Sequence, residues 1–400
     1  MFTRLPGPPP QASFFLLGPR GTGKSTWLRS QFPEAVFLDL LDDAVFRELS
    51  AQPERLSRFV PPAHRDWIVV DEVQKAPALL DEVHRLDGKK GRRFVLSGSS
   101  ARKLKRGGAN LLGGRARTRT MHPLTAEELG PAFSLAHSLR FGQLPTVYVA
   151  ADPGPYLDAY VGTYLREEVM QEALVRNVGA FGRFLQAASF SQAAVLNLTR
   201  VAEECALPRK TVESHFDLLE DLLLGARLPV FQKRAQRRMS QHPKFFYFDV
   251  GVFRSLRPKG PLDTPEEIDG ACLETLVFQE LRAHIAARSL GYDLYFWRTL
   301  DGLEVDFVLY GEAGLLAIEI KRSAHIREPD LRALRAFKAD YPMARTLLFC
   351  GVEQRMYREP GIELWPLGEA LQSLGAILSG EAPAGVAPSP AQPPPVPERP

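Results

Sequence analysis

The sequence predicts an α/β protein whose N-terminal third is a parallel sheet covered by helices on both faces. Four short runs are almost entirely apolar and alternate with segments that can form helices: Ser13–Leu17, Val36–Leu40, Trp67–Val70 and Phe94–Leu96. This rhythm is typical of strands buried on both faces. A glycine-rich loop follows the first run and an acidic pair follows the third, and these two features begin the functional interpretation.

The loop after the first run, Gly18–Ser25, reads GPRGTGKS and matches the phosphate-binding pattern G-x-x-x-x-G-K-[S/T] in full. Its glycines let the backbone wrap closely around an anion, with N–H groups and the start of a helix directed at phosphate. We expect Lys24 to reach the β- and γ-phosphates and Ser25 to hold Mg²⁺. The alternative is a tight strand–helix turn that binds nothing. The predicted residues for ATP are Gly18, Pro19, Arg20, Gly21, Thr22, Gly23, Lys24, Ser25 and Thr26.

The acidic pair after the third run is Asp71-Glu72, a Walker B pattern. An Asp at the carboxyl end of a buried strand can bind Mg²⁺, and the adjacent Glu can polarise the attacking water as a general base. Many buried strands end in acids, so the pair indicates this chemistry only together with the upstream loop.

Two further features predict nucleotide sensing. The run FVLSGSS ends in hydroxyls, and we predict Ser97, or alternatively Ser99, as the polar residue between the two Walker motifs that senses the γ-phosphate. Arg115, on the Gly-rich stretch LLGGR, is a candidate finger for charge on the transferred phosphoryl group. A solvated Arg, or a contact to DNA, explains Arg115 equally well.

These motifs, in this order, resemble a family of bacterial and archaeal AAA-type P-loop ATPases with a C-terminal domain of unknown function. The resemblance covers about residues 10 to 370 and rests on GPRGTGKS, WIVVDE, FVLSGSS, LLGGRA, HPLTAEEL, YLDAYVGTYLREEV, KFFYFDVG and WRTLDGLEVDFVL…AIEIKRS. Many relatives have Ala where this chain has Gly113. The resemblance implies an ATP-hydrolysing protein.

The middle of the chain predicts a winged helix-turn-helix that binds DNA. Leu198–Ala206 and the segment from Arg209 to about Leu224 read as helices joined by a short turn at Leu207-Pro208. No acidic residue occurs from Leu222 to Phe248, where two predicted strands flank a basic loop, as in a wing. A helix pair within an ordinary core is the alternative. The predicted DNA-binding residues are Arg209, Lys210, Thr211 and Ser214 of the second helix, and Lys233, Arg234, Arg237 and Arg238 of the loop.

The C-terminal third predicts a restriction-endonuclease-like α/β domain. Asp306 and the later Glu319-Ile-Lys321 form a D-x(n)-E-x-K pattern on two alternating strands, so Glu319 and Lys321 share one face. We expect Asp306 and Glu319 to hold Mg²⁺ and Lys321 to orient water for phosphodiester attack. On the preceding helix, Glu274 is a better candidate third carboxylate than Glu280. A buried charge network in a fold that does not cut DNA is the alternative.

Composition sets the remaining expectations. The net charge is +3, and the three cysteines have no metal-ligand spacing, which predicts reduced thiols in a cytoplasmic protein without a signal peptide or membrane span. We predict an AAA-type ATPase domain at 1–130, a helical linker and winged helix at 131–262, a nuclease-like domain at 263–380 and a disordered Pro-rich tail at 381–400.

Three functions fit these observations. The leading hypothesis is an ATPase that couples nucleotide state to DNA binding, and a homo-oligomer is compatible with it. The alternatives are an ATP-gated, metal-dependent DNA nuclease and a nucleotide-controlled switch that acts on a protein partner.

Overall fold

The computed structural model describes residues 2–7, 11–90, 92–100, 117–164, 177–258, 260, 264–359 and 361–381. Arg115 and the tail from 382 onward therefore lie outside the described residues. Three sheets organise the described part of the chain: a five-stranded sheet, a small three-stranded sheet and a six-stranded sheet. None of the helices in these ranges is both long and apolar enough to cross a membrane.

The N-terminal sheet confirms the predicted parallel α/β arrangement. Its strands are β1 (Phe14–Leu17), β2 (Val36–Asp39), β3 (Ile68–Asp71), β4 (Phe94–Gly98) and β5 (Arg117–Thr120). They run parallel in the order β2-β3-β4-β1-β5. The polar edge strand β5 was not predicted, because its RTRT sequence has no apolar run. β4 therefore lies between the strand that precedes the glycine-rich loop and the strand that ends in Asp71.

Helices cover both faces of this sheet because its strands are apolar on both faces. Phe15 and Leu17 pack into one apolar cluster, and Phe14 and Leu16 pack into another on the opposite face. The helices are α1 (Lys24–Gln31), α2 (Asp43–Ala51) and α3 (Leu79–Lys90), with 3₁₀ turns at Pro53–Arg58 and Val73–Lys75.

Helices dominate the middle of the chain. They are α4 (Ala126–Leu129), α5 (Leu135–Phe141), α6 (Pro145–Val149), α7 (Pro153–Ala159), a π-helical turn (Tyr160–Tyr164), α8 (Val178–Ser189), α9 (Leu198–Cys205), α10 (Arg209–Asp221) and α11 (Val250–Leu256). The three-stranded antiparallel sheet has the order β6-β8-β7 and comprises β6 (Ala194–Val195), β7 (Gly225–Leu228) and β8 (Lys244–Tyr247).

The two helices predicted around Leu207-Pro208 are present. The Asn197 side chain accepts bonds from the N–H groups of Thr199 and Arg200 and so begins α9. Ala206 ends α9 in the left-handed conformation, with a φ of 53°. Pro208, in an extended conformation, then starts α10.

The basic segment between β7 and β8, which we predicted to be the loop of a wing, contacts the C-terminal sheet. It lies along β9, the edge strand of the C-terminal sheet: Phe231 N–H donates to the Phe296 carbonyl at 2.7 Å, and Ser240 N–H donates to the Arg298 carbonyl at 2.9 Å. Phe231 is buried among aromatic side chains of the C-terminal sheet and its helix. The segment thus pairs an edge that would otherwise expose unpaired backbone groups.

The C-terminal third is a mixed sheet with helices on both sides. The elements are α12 (Pro265–Arg288), β9 (Tyr292–Arg298), β10 (Glu304–Gly311), β11 (Gly314–Ile320), α13 (Glu328–Asp340), β12 (Arg345–Cys350), β13 (Met356–Glu359), β14 (Ile362–Pro366), α14 (Leu367–Gln372) and α15 (Leu374–Ser379). The strand order is β13-β14-β12-β11-β10-β9, and β11, β12 and β14 are parallel. One apolar core runs from Ala126 to Leu378, so the middle and C-terminal segments are packed together.

Candidate functional site

The glycine-rich loop connects β1 to α1 in a conformation that requires its glycines. Gly21 and Gly23 have φ values of 77° and 87°, in the left-handed region that suits glycine. A Cβ atom on Gly18 would collide with the Met121 carbonyl. Among the described residues, no side chain caps the first turn of α1. The loop therefore allows a phosphate to come close to its backbone and to the positively charged N-terminal end of α1.

The remaining loop residues hold that conformation. Thr22 is buried, and its hydroxyl donates to the Pro19 carbonyl at 2.7 Å. The Lys24 ammonium is also buried and donates to the carbonyls of Gly18 and Pro19 at 2.7 and 3.1 Å. Across the loop, the Tyr160 hydroxyl donates to the Arg20 carbonyl at 3.1 Å. Thr26, the last predicted nucleotide contact, is exposed on α1.

Asp71 is the centre of the polar cluster at the carboxyl ends of β1, β3 and β4. Its carboxylate accepts a hydrogen bond from Ser25 at 2.6 Å and another from the Ser97 hydroxyl. The Glu72 N–H donates to the same carboxylate at 3.2 Å. The structure thus brings together the predicted Mg²⁺ ligands Ser25 and Asp71 and the predicted sensor Ser97. A hydroxyl beside a carboxylate next to a glycine cradle is a donor set that fits Mg²⁺ held with a phosphate chain.

Glu72 is buried beside Asp71 in the left-handed conformation, with a φ of 59°. Burial raises the pKa of Glu72 above its ordinary value, while nearby Lys24 and the hydrogen bond from Gln74 lower it. A non-glycine residue at positive φ is uncommon and marks a conformation that its surroundings impose. Glu72 is therefore a buried carboxylate with a raised proton affinity, placed next to the predicted phosphate site.

Gln74 is a site residue that the sequence did not predict. Its side-chain amide donates to the Glu72 carboxylate and, at 2.9 Å, to the Ser99 hydroxyl. A Cβ atom on Gly98 would collide with the side-chain amide oxygen (Oε1) of Gln74, so the amide fits tightly against β4. Ser99, the alternative sensor, contacts Gln74, whereas Ser97 contacts Asp71. The only sequence feature that could have indicated this role is the position of Gln74, two residues after the Walker B residue Glu72.

Arg4 joins the loop to the segment after β5 and was also missed. Its guanidinium donates to the Thr22 carbonyl and the His122 carbonyl, each at 2.6 Å, and forms an ion pair with Glu128 at 2.9 Å. The Arg4 side chain is only 7% exposed. An N-terminal Arg has no sequence signal for this role, because its three partners are distant in the chain.

The predicted DNA contacts on α10 lie on its exposed N-terminal face. Arg209, Lys210 and Ser214 are exposed, and Thr211 is half-buried. Val212 and Phe216 on the opposite face are buried and hold the helix in the core. The structure therefore places these four side chains together at one helix end.

The four basic residues predicted on the loop are all exposed, but two have partners within the chain. The Arg237 guanidinium forms an ion pair with Asp340 at 2.7 Å, and the Lys233 ammonium lies 4.2 Å from the centre of the Tyr310 ring. Arg234 has a positive φ of 54°. With Arg238, these residues form a basic ridge on the C-terminal sheet.

The residues of the predicted C-terminal metal site lie close together, in contact with lysine side chains. Asp306, Glu319 and Lys321 do lie together, with Lys321 Nζ 2.6 Å from Glu319, and Glu274 is the α12 carboxylate beside them. Glu280 instead accepts a bond from the Ala126 N–H at 2.7 Å. Over the described ranges, no three His, Cys, Asp or Glu side chains are arranged to hold a metal ion. The Lys244 ammonium lies beside Glu274, Glu304 and Asp306.

Three family models match consecutive parts of this chain. An AAA domain covers residues 11–130, a domain of unknown function (DUF8612) covers 134–263, and another (DUF4143) covers 269–370. A comparison with curated proteins gives no match.

Solved structures of low similarity also match. The Aeropyrum pernix ORC1 protein in complex with DNA is 13% identical over 62% of this chain and 87% of its own, with a TM-score of 0.26. The A. pernix ORC2 protein (ADP form) is 11% identical over 66% and 89%, with a TM-score of 0.30. Protein VC1899 from Vibrio cholerae is 12% identical over 92% and 97%, with a TM-score of 0.22.

Proposed function

We propose that the chain hydrolyses ATP and couples its nucleotide state to DNA binding, because residues 11–130 match an AAA domain and residues 269–370 match a domain of unknown function. The observation that carries the hydrolysis proposal is the convergence of Ser25, Ser97 and Glu72 around Asp71 at the end of the glycine-rich loop. These groups lie where β1, β3 and β4 end side by side.

Each residue of this cluster has a proposed task. The loop N–H groups and Lys24 bind the phosphates, and Ser97 detects the terminal one. Glu72 accepts a proton from the attacking water, and the rise of its pKa on burial makes the carboxylate a stronger base. Ser25 and Asp71 would hold Mg²⁺, which neutralises charge on the phosphates when bound. Arg115 stays a candidate finger outside the described residues.

We propose Gln74 as a positioning residue for Glu72. Replacing it with Ala removes the amide that holds the Glu72 carboxylate, and turnover should fall by about 10- to 100-fold because the base is less well aligned. The Gln74 hydrogen bond also lowers the pKa of Glu72. The rise of turnover with pH should therefore move to higher pH in Gln74→Ala. Gln31→Ala, an exposed change on α1, serves as the control, and an unchanged pH profile in Gln74→Ala would count against this role.

We interpret the helices α8, α9 and α10 and the three-stranded sheet together as a winged helix-turn-helix, and we propose that this unit binds DNA. The N-terminal residues of α10 are the ones that such a helix presents to the major groove. Arg209 and Lys210 project there and are exposed. The basic ridge on the C-terminal sheet gives a second cationic surface for backbone phosphates.

One contact supports the coupling of this helix to the nucleotide site. The Ser100 hydroxyl, just beyond β4, lies 3.5 Å from the carbonyl of Asp221 at the last residue of α10. Leu223, which follows α10, packs against the apolar core of the N-terminal sheet. The helix that carries Arg209 at one end therefore contacts, at its other end, the segment that directly follows the strand carrying Ser97.

The double variant Arg209→Ala, Lys210→Ala tests the DNA surface. We expect its DNA affinity to fall at least tenfold at moderate salt, because two cations that contact DNA are lost. Fluorescence anisotropy with labelled duplex and single-stranded DNA measures this, and Arg47→Ala, Arg58→Ala removes the same charge from exposed sites elsewhere. Equal losses in both double variants would show a non-specific charge effect. Complete absence of DNA affinity in the wild type would favour the protein-partner switch.

A further inference from the structure

Four carboxylates converge in the C-terminal half of the molecule, on α12, β10 and β11. We call Glu274, Glu304, Asp306 and Glu319 the C-terminal carboxylate cluster. Asp306 and Glu319 are less than 10% exposed, and Glu304 and Glu274 have side chains that are 22% and 25% exposed. Buried carboxylates need a cation or hydrogen-bond donors, since burial without them is costly.

Lys244 supplies a cation from outside the C-terminal sheet. It is the first residue of β8, and its side chain is only 2% exposed. Its ammonium lies 2.5 Å from Glu304, 2.9 Å from Glu274 and 3.9 Å from Asp306. The chain thus places one positive charge among three carboxylates that come from two different elements.

Other groups of the chain already bind one oxygen each of Asp306 and Glu319. One oxygen of Asp306 accepts a bond from the Ile320 N–H at 2.9 Å, and Lys321 holds one oxygen of Glu319 at 2.6 Å. The second oxygen of Glu319 is buried without a hydrogen-bond partner among the described residues. A divalent ion at this position would also stand close to the Lys244 ammonium, and that repulsion is strong in a buried site.

We propose that Lys244 is a built-in cation that occupies the metal position of the C-terminal carboxylate cluster, so that this domain binds no divalent metal and does not cut DNA. This inference does not depend on the proposed ATPase function. The D-x(n)-E-x-K pattern left open whether this domain cuts DNA. The pattern contains the acidic residues of a nuclease site, but it does not contain Lys244, whose ammonium takes the place of the metal in this proposal.

Buried neighbours on β8 hold the backbone of Lys244 in place. The next three residues, Phe245, Phe246 and Tyr247, are completely buried, and β8 pairs with both other strands of its sheet. Phe246 stacks on Phe278 of α12, with ring centres 4.3 Å apart. These contacts hold the backbone of Lys244 in place, so an ATP-driven displacement of β8 is not expected.

Counting bound Mn²⁺ in nucleotide-free protein tests the proposal. Mn²⁺ is titrated and the free ion is measured by electron paramagnetic resonance. Wild type and Glu319→Gln should bind the same number of ions, because any ion at Ser25 and Asp71 is common to both. If Glu319→Gln binds one ion fewer than the wild type, the cluster holds a metal and the proposal is overturned. This pair decides the matter without any change at Lys244.

The Lys244→Met variant gives the complementary result. We expect it to bind one additional Mn²⁺, and Lys244→Met combined with Glu319→Gln should lose that ion again. Lys244→Arg keeps the charge and should gain none. A folded Lys244→Met that binds no more Mn²⁺ than the wild type would show that Lys244 does not occupy a metal position. Incubation of the wild type with plasmid DNA and Mn²⁺ should leave the DNA intact, and cleavage that Glu319→Gln abolishes would contradict the proposal.

Discussion

Lys24→Ala should lower ATP affinity by more than ~100-fold and abolish measurable turnover, because removing one partner of a buried charge pair costs about 2–5 kcal/mol. The Lys24 ammonium is buried at the loop, where it bonds to the carbonyls of Gly18 and Pro19. No other Lys lies in the loop sequence GPRGTGKS, so no neighbouring Lys can replace its charge.

Isothermal titration calorimetry with a non-hydrolysable ATP analogue measures the affinity, and circular dichroism checks that the variant is folded. Arg29→Ala on the same helix removes an exposed positive charge and should leave the affinity unchanged. Equal affinities of the wild type and Lys24→Ala would place the nucleotide elsewhere and remove the basis of the proposed function.

Glu72→Gln should keep ATP binding and reduce turnover by about 10²- to 10⁴-fold, the range for loss of a general base. Gln has nearly the same shape and can occupy the same buried position beside Asp71, but it cannot accept the proton from water. Because burial raises the pKa of Glu72, wild-type turnover should rise with pH as this carboxyl loses its proton. The variant should lack that rise.

Single-turnover measurements with labelled ATP over a pH series separate binding from chemistry in this variant. Glu82→Gln changes another buried acid of the same domain, one that is paired with Arg85 on α3, and provides the matched control. A Glu72→Gln enzyme with wild-type turnover would show that the general base is a different group.

Local patterns predicted the elements of this structure well. The glycine-rich loop, Asp71 after β3 and the helices on both sides of Pro208 are set by neighbouring residues, through apolar periodicity, capping and turn chemistry. The order of the strands in the sheet then explains why Ser97 contacts Asp71, since β4 lies between β1 and β3. Sequence alone also placed Glu319 and Lys321 on one face, and they are in contact.

Contacts between distant residues could not be predicted in the same way. Lys244 read as a basic residue of a wing strand, but its partners lie on α12 and β10. Arg4 contacts Glu128, far along the chain, and Phe231 anchors the basic segment among aromatic residues of another sheet. The partners of each of these residues depend on how the helices and strands pack together, which local sequence patterns do not specify. The contacts of the basic segment with the C-terminal sheet and of Lys244 with the carboxylates are both of this kind.

The rate of phosphate release at saturating Mg²⁺–ATP, measured with and without DNA over a series of salt concentrations, tests the central claim most directly. We predict that DNA raises the rate, that the stimulation declines as salt weakens DNA binding, and that Lys24→Ala shows no release under either condition. A rate that is the same with and without DNA at every salt concentration would contradict the coupling of ATP hydrolysis to DNA.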